Sequence, residues 1–272
     1  MHWTFGPARP SRRSRLWAAL FTPSLLFFSA PVAQAAPPAP TVVLVHGAWA
    51  DGSTWREVIV RLQARGLHVV AVQNQLNSLA DDAAAVARAL EPITAPVVLV
   101  GHSWGGTVIT QAGVSNKVVA LVYVAAFAPD VGESTNDLQA NAPPPGYVPL
   151  LQLDSAGYLW FPQAQMPQWF AQDLPAPGAA LIAAAQNPIR ATAFGDKVDE
   201  AAWRSKPSWY LLTTRDRMIA PELQRQMSAR MQAAVRTVDS SHVPFASQPR
   251  ETTAVILEAV EHVLHQPTAA PR

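Results

Sequence analysis

The chain has 272 residues, of which 49% are hydrophobic, and its 20 basic and 19 acidic side chains leave a net charge of +1. A chain of this length can bury one substantial core, and it lacks the basic excess that marks nucleic-acid-binding proteins. It contains no cysteine, which excludes disulfides and a lipoprotein anchor.

The first 35 residues have the pattern of a signal peptide. Four arginines precede an apolar stretch from Leu16 to Ala30, and Ala33-Gln34-Ala35 supplies the small residues of a cleavage site. A membrane-spanning helix needs roughly 20 apolar residues, and this stretch is shorter and contains Pro23. We therefore expect cleavage after Ala35, export to the periplasm or the medium, and no stable membrane anchor.

The first predicted strand of the mature chain runs into a glycine turn. Thr41 to Val45 is followed by His46-Gly47-Ala48-Trp49, and such a turn can aim a backbone N–H, that of Ala48, at an oxyanion. Further apolar runs alternate with amphipathic helical stretches, which predicts a parallel sheet covered by helices on both faces. These runs are Val69 to Val72, Val97 to Val100 and Val118 to Val124.

The predicted strand Val97 to Val100 leads directly into Gly101-His102-Ser103-Trp104-Gly105-Gly106, and a helix-compatible segment follows. A G-x-S-x-G sequence between a strand and a helix predicts a nucleophile elbow, in which a strained turn exposes the serine hydroxyl. Without such a strand and helix, the same sequence is interpreted as a glycine-rich loop with a capping serine. The flanking strand and helix favour Ser103 as the nucleophile, with the Trp104 N–H as a second oxyanion donor.

Strand and helix stop alternating after Pro129. The following stretch, as far as Pro188, is rich in proline and has only short helical stretches, but it also carries six large aromatic residues, which are rare in disordered linkers. We predict an inserted cap over about residues 130–205, the segment called the cap below. Trp169 and Phe170 in the cap, with Trp49, are the tentative pocket-lining residues, and packing of the cap onto the core is their alternative role.

A serine nucleophile needs a histidine base and a carboxylate that orients the histidine. Asp216 follows one strand-like run and His242 follows the next, in the order Ser, Asp, His that α/β-hydrolases use. Asp130 is the alternative acid because some of these enzymes place it one strand earlier. Asp239 lies three residues before His242 and is interpreted as a turn or capping residue.

With these motifs the chain resembles α/β-hydrolase-fold serine esterases, in the branch of plant methylesterases, hydroxynitrile lyases and small bacterial esterases. The resemblance covers about residues 41–265, although within the cap it is positional. It implies an α/β-hydrolase fold with a mostly parallel central sheet, helices on both faces and an inserted cap. The matching residues are His46-Gly47-Ala48, the run from Gly101 to Gly106, Asp216 within Thr214-Arg215-Asp216-Arg217, and Ser241-His242.

The sequence therefore predicts a serine hydrolase that cleaves a small to medium, largely apolar carboxylic ester without a cofactor. No group of histidines has zinc-ligand spacing, so we expect no metal site. Plant hydroxynitrile lyases carry a lysine after the catalytic histidine, where this chain has Val243, and a haloalkane dehalogenase has an aspartate in place of Ser103. A non-catalytic ligand-binding protein on the same fold is the remaining alternative.

Overall fold

A computed structural model describes residues 38–140 and 143–265, and the predicted signal peptide lies outside these residues. A central sheet of six parallel strands confirms the predicted α/β class. In chain order the strands are β1 (Thr41–Val45), β2 (Val69–Val72), β3 (Val97–Ser103), β4 (Val118–Ala126), β5 (Gln152–Leu153), β6 (Tyr158–Trp160), β7 (Ile189–Arg190), β8 (Ser208–Thr213) and β9 (Ala234–Val238). The central sheet has the order β2-β1-β3-β4-β8-β9.

Strands β1 and β3 are neighbours in the interior of this sheet, and every residue in both is buried. Val98 on β3 lies between Val42 on β1 and Ala120 on β4, so the apolar runs pair side by side. Continuous apolar strands of this kind are stable only where helices cover both faces of a parallel sheet. The carboxyl ends of these strands meet at one edge, where ligands of open α/β sheets bind.

The helices cover the sheet in packed pairs, with α1 against α9 and α2 against α3. At the start of α2 the Ser78 hydroxyl accepts a hydrogen bond from the Asp81 N–H and so satisfies one of the free N–H groups of the helix. A 3-10 turn from Gly52 to Trp55 directly precedes α1. The helices are α1 (Arg56–Gln63), α2 (Leu79–Leu90), α3 (Trp104–Ala112), α4 (Thr135–Gln139), α5 (Met166–Trp169), α6 (Ala176–Ala184), α7 (Pro221–Arg230), α8 (Pro244–Ser247) and α9 (Pro249–His265).

The cap lies between β4 and β8 and contains helices α4 to α6. It also holds a small antiparallel sheet of β5, β6 and β7, whose strands have two or three residues each. Strands this short carry no readable periodicity, so the sequence pattern did not predict them. Across residues 38–140 and 143–265, no helix combines the length and apolarity needed to cross a bilayer.

Candidate active site

The turn between β3 and α3 has the geometry of a nucleophile elbow. Ser103 ends the strand with φ of 52° and ψ of −122°, and Trp104 begins the helix. A positive φ is strained for a residue with a Cβ, and such strain persists where the surrounding structure enforces it. The turn places the serine at the N-terminus of α3, where the helix dipole favours negative charge.

Glycines allow the backbone to approach Ser103 closely on two sides. A Cβ on Gly101 would lie 2.5 Å from the Gly105 carbonyl oxygen, so only glycine fits where the strand passes the first turn of α3. A Cβ on Gly47 would lie 2.6 Å from the Ser103 Cβ. The turn after β1, which carries Ala48, therefore lies directly against the predicted nucleophile.

Asp216 and His242 meet at the carboxyl edge of the sheet, after β8 and β9. The His242 Nδ1–H donates to Asp216 Oδ2 at 2.8 Å, and both side chains are almost fully buried. Asp216 also accepts hydrogen bonds from the Met218 and Ile219 N–H groups and from the amide of Gln224. A carboxylate with this many donors has one fixed orientation, and it fixes the histidine ring in turn.

The other nitrogen of this histidine, Nε2, is buried and has no hydrogen-bond partner among the described residues, Ser103 included. Because Nδ1 carries the proton that bonds Asp216, Nε2 has a free lone pair and can act as a base. Hydrogen bonds between a nucleophile and its base are often long in unliganded enzymes. The three residues of the predicted triad lie at or after the carboxyl ends of β3, β8 and β9, on one edge of the sheet, and their catalytic roles remain predictions.

His102 links the elbow to the loop of the predicted base. Its Nε2–H donates to the His242 carbonyl oxygen at 2.8 Å, and the two imidazole rings are 4.6 Å apart. Burial, followed by the nearby His242, holds the pKa of His102 well below its usual range, so the ring is neutral. This contact joins residues that are 140 positions apart in the chain.

The turn after β1 is held by His46 and by Asn74, which follows β2. His46 Nδ1–H donates to the Gly47 carbonyl at 2.9 Å, and its Nε2 accepts the Asn74 N–H at 2.9 Å. The Asn74 side-chain amide donates back to the His46 carbonyl. Burial lowers the pKa of His46, in keeping with a neutral ring that both donates and accepts. Ala48, a predicted oxyanion donor, is thereby held against the elbow.

Each predicted oxyanion donor lies at or beside a tryptophan whose indole N–H is fixed. Trp49, next to Ala48, donates from Nε1 to the Leu159 carbonyl of the cap at 2.8 Å. Trp104 donates from Nε1 to Asp82 Oδ2 of α2 at 2.9 Å. Both indoles also contact the ring of Phe194, at 6.0 and 5.7 Å between centroids.

Asp82 is fully buried and was missed by the sequence analysis. It accepts hydrogen bonds from the Trp104 indole and from the Leu76 N–H, and burial raises the pKa of its carboxyl despite these bonds. The sequence could have indicated this residue, because Asp82 lies between Leu79 and Val86 on the apolar face of α2 and a lone carboxylate on a buried face requires partners.

The tentative pocket residues take different positions. The Phe170 ring lies 5.0 Å from the His242 ring and is fully buried. Trp49 contacts Tyr147 and Phe161, so it joins the core side of the site to the aromatic residues of the cap. Trp169 packs within the cap, where a Cβ on Gly146 would lie 2.5 Å from its ring. This placement favours a packing role for Trp169 and leaves Phe170 beside the predicted base.

The alternative acids are engaged elsewhere. Asp130 forms an ion pair with Arg204, 2.7 Å from its Nε, and this arginine lowers the pKa of the carboxyl. Asp239 accepts from Arg215 Nε at 2.6 Å in the loop before His242, as the turn interpretation expects. In the described part of the chain, no three histidine, aspartate or glutamate side chains cluster as metal ligands would.

A cleft of about 220 Å³ lies between α6 of the cap and the start of α1. Leu174, Ile182 and Ala246 line it together with residues of the first 3-10 turn and of α1. None of the three predicted triad residues lines this cleft, so we do not assign it to the reacting ester.

Comparison with known proteins places this arrangement in a family. Residues 42–255 match the model of the "Alpha/beta hydrolase family". The chain is 26% identical over 241 residues to "Probable hydrolase R7" of a Phoma species, a match that covers 80% of this chain and 97% of that protein. It is also 26% identical over 258 residues to "Methylesterase 7" of Arabidopsis thaliana, with 80% and 95% covered.

A solved structure with the same fold is a pyrethroid hydrolase from Sphingobium faniae JZ-2. The two structures superpose with a TM-score of 0.72 at 23% identity, over 82% of this chain and 97% of the other. At this identity the likeness shows the fold alone, which is the α/β-hydrolase fold expected from the sequence.

Proposed function

Because this chain belongs to the alpha/beta hydrolase family, we propose that it is a serine esterase that cleaves carboxylic esters through an acyl-enzyme. The observation that carries this proposal is the buried hydrogen bond between His242 and Asp216 beside the strained elbow of Ser103. An orienting carboxylate, a histidine with a free Nε2 and a serine hydroxyl at a strained turn are the parts that acyl transfer requires.

In the first half of the reaction His242 Nε2 takes the Ser103 proton as the serine oxygen attacks the ester carbonyl. The tetrahedral intermediate carries its negative charge on the former carbonyl oxygen. The backbone N–H groups of Ala48 and Trp104 donate to this oxygen, and the N-terminus of α3 adds a favourable dipole. The imidazolium then protonates the departing alcohol, leaving the acyl group on Ser103.

In the second half water replaces the alcohol. His242 removes a proton from that water, the resulting hydroxide attacks the acyl carbonyl, and the same two N–H groups stabilise the second oxyanion. Ser103 leaves as the product acid forms and recovers its proton from the histidine. Throughout these steps Asp216 keeps the imidazole in the tautomer that the reaction requires. These steps require no cofactor.

The surrounding residues favour an uncharged, largely apolar ester of small to medium size. The rings of Trp49, Phe161 and Phe170 adjoin the site and are almost fully buried, and apolar walls with few polar groups bind such ligands. The names of the relatives, a methylesterase among them, also support an ester substrate.

A covalent serine probe tests the proposal most directly. We expect a fluorophosphonate to label the wild-type protein once, at Ser103, because only an activated serine reacts readily. Ser103→Ala should take up no label, and p-nitrophenyl esters of increasing chain length should be hydrolysed by the wild type alone. A wild-type protein that is folded but neither labelled nor active would instead be a ligand-binding protein on this fold.

We further propose that the mature protein is exported after cleavage at Ala35, which rests on the sequence pattern of the first 35 residues. The intact mass of the protein recovered from the periplasm or medium tests this. A mature chain beginning at Ala36 is expected, whereas a full-length cytoplasmic product would contradict the proposal.

A further inference from the structure

One stretch of the cap, from Gln168 to Asp173, lies across both loops that carry the predicted acid and base. Arg217 Nη1 donates to the Gln168 carbonyl at 2.7 Å, and Gln172 Nε2 donates to the Arg215 carbonyl at 2.5 Å. Arg215 and Arg217 are the two neighbours of Asp216 in the chain. The cap is therefore bonded to the acid's loop on both sides of the acid.

Asp173 makes the equivalent contact with the loop of the base. Its Oδ2 accepts the Ser241 N–H at 2.8 Å and the Ser240 hydroxyl at 3.1 Å, and the Arg215 guanidinium lies 4.0 Å away. Ser241 directly precedes His242 and is fully buried. The Asp173 side chain is 7% exposed, so these bonds form in a site that is largely closed to solvent.

A buried carboxylate is costly unless it is paired, which makes its partners informative. Burial opposes the ionisation of Asp173, but hydrogen bonds from Ser241 and the adjacent serines outweigh burial and lower the pKa of its carboxyl. Its Oδ1 is buried without a partner among the described residues. The ionised carboxylate of Asp173 is therefore stabilised by the loop that precedes His242.

That loop is held at His242 by the bonds to Asp216 and from His102, and at Ser241 by the cap. It joins the end of β9 at Val238 to the start of α8 at Pro244, outside the sheet ladder. The Arg215 N–H bonds the Ser240 carbonyl, but the Ser241 N–H has Asp173 as its acceptor. Without Asp173 this buried N–H would lose its partner, and the loop would have to move to satisfy it.

We propose that Asp173 is a positioning residue of the active site, which holds the His242 loop in its working geometry and makes that geometry depend on the seating of the cap. The inference rests on the proposed esterase function. Small displacements of a base reduce the rate of the chemical step more than they reduce substrate binding, so the effect should fall on kcat.

The test compares Asp173→Ala with Asp173→Asn and with Asp154→Ala. Asp154 is a matched control: a cap aspartate that accepts the Tyr158 and Ala156 N–H groups and the Trp160 indole, all within the cap. With p-nitrophenyl acetate, Asp173→Ala should lower kcat about 100-fold while KM changes little. Asp173→Asn keeps an acceptor oxygen for the Ser241 N–H, so it should recover most of kcat, and Asp154→Ala should resemble the wild type.

Hydrogen–deuterium exchange of the peptide over residues 239–243 gives a readout that does not depend on turnover. Faster exchange in Asp173→Ala, but not in Asp154→Ala, is expected. Equal kcat values in Asp173→Ala and Asp154→Ala, with unchanged exchange, would overturn the proposal. So would a kcat loss that only matches a lost folded fraction. Absence of fluorophosphonate labelling in the wild type would refute the esterase function instead, and exchange would still decide the role of Asp173.

Discussion

The sheet edge and the cap meet at one site but are built on different principles. On the sheet edge Ser103, Asp216 and His242 follow the ends of parallel strands that are held by continuous apolar burial. The cap has strands of two or three residues and joins the core through ring contacts of Trp49 and through hydrogen bonds such as that from the Trp49 indole to Leu159. The sheet edge is therefore suited to fix the chemistry, and the cap is suited to select the substrate.

The nucleophile gives the largest expected effect on the sheet side. Ser103→Ala should lower kcat by at least about 10⁴-fold, because the acyl-enzyme cannot form, while melting temperature and substrate binding stay near wild type. His242→Ala should be nearly as damaging, and the double variant should lose little more, because the two residues act as a unit. Retention of a tenth of the activity in Ser103→Ala would refute the mechanism.

The next largest effect is expected at the catalytic acid, and it distinguishes Asp216, after β8, from Asp130, after β4. Asp216→Asn should reduce kcat by about 10³- to 10⁴-fold because it permits the wrong histidine tautomer. Asp130→Asn breaks only the ion pair with Arg204, so activity should stay within about threefold and stability within about 1 kcal/mol. Steady-state kinetics of both variants decide the matter, and the reverse ranking would move the acid to the end of β4.

On the side of the cap, the adjacent residues Trp169 and Phe170 test which aromatic rings determine ester preference. Phe170→Ala removes the ring beside His242 and should change the ratio of kcat/KM for a short and a long ester by about 10-fold or more. Trp169→Ala removes a ring that packs within the cap, so it should lower the melting temperature and leave that ratio unchanged. Parallel losses for both esters in Phe170→Ala would mean that specificity lies elsewhere.

The smallest expected effect is a pH dependence with opposite signs at two buried carboxylates. The pKa of Asp82 is raised, so its contribution to stability falls as pH rises from the ordinary aspartate value of about 3.9 through the raised folded value. The pKa of Asp173 is lowered, so its contribution is complete above that ordinary value and is lost as pH falls through the lowered one.

Chemical unfolding of the wild type, Asp82→Asn and Asp173→Asn from about pH 3 to 6 measures both contributions. The stability lost in Asp173→Asn should grow with pH, and the stability lost in Asp82→Asn should shrink. Two slopes of the same sign would show that the surroundings of one carboxylate differ from those described above.

The sequence predicted what local patterns encode. Apolar runs marked the strands of the central sheet, and the glycine turns marked the elbow at Ser103 and the turn at Ala48. The contacts that support the site were not predictable in this way, because they join distant positions. His102 meets the His242 carbonyl 140 positions away, and Asp173 meets Ser241 across 68 positions. No local sequence pattern predicts either of these two contacts.

The order of the strands has a consequence for the growing chain. β4 and β8 are neighbours in the sheet, yet the whole cap separates them in sequence, so the second half of the sheet can pair only after the cap has been synthesised. Because the entropy of closing a flexible loop rises slowly with its length, a longer or shorter cap changes the cost of this pairing little. A nascent chain that ends within the cap carries Ser103 but neither Asp216 nor His242. Under the proposed mechanism, the Ser103 hydroxyl is therefore inactive until about the last quarter of the chain, which begins with β8, has been synthesised and folded.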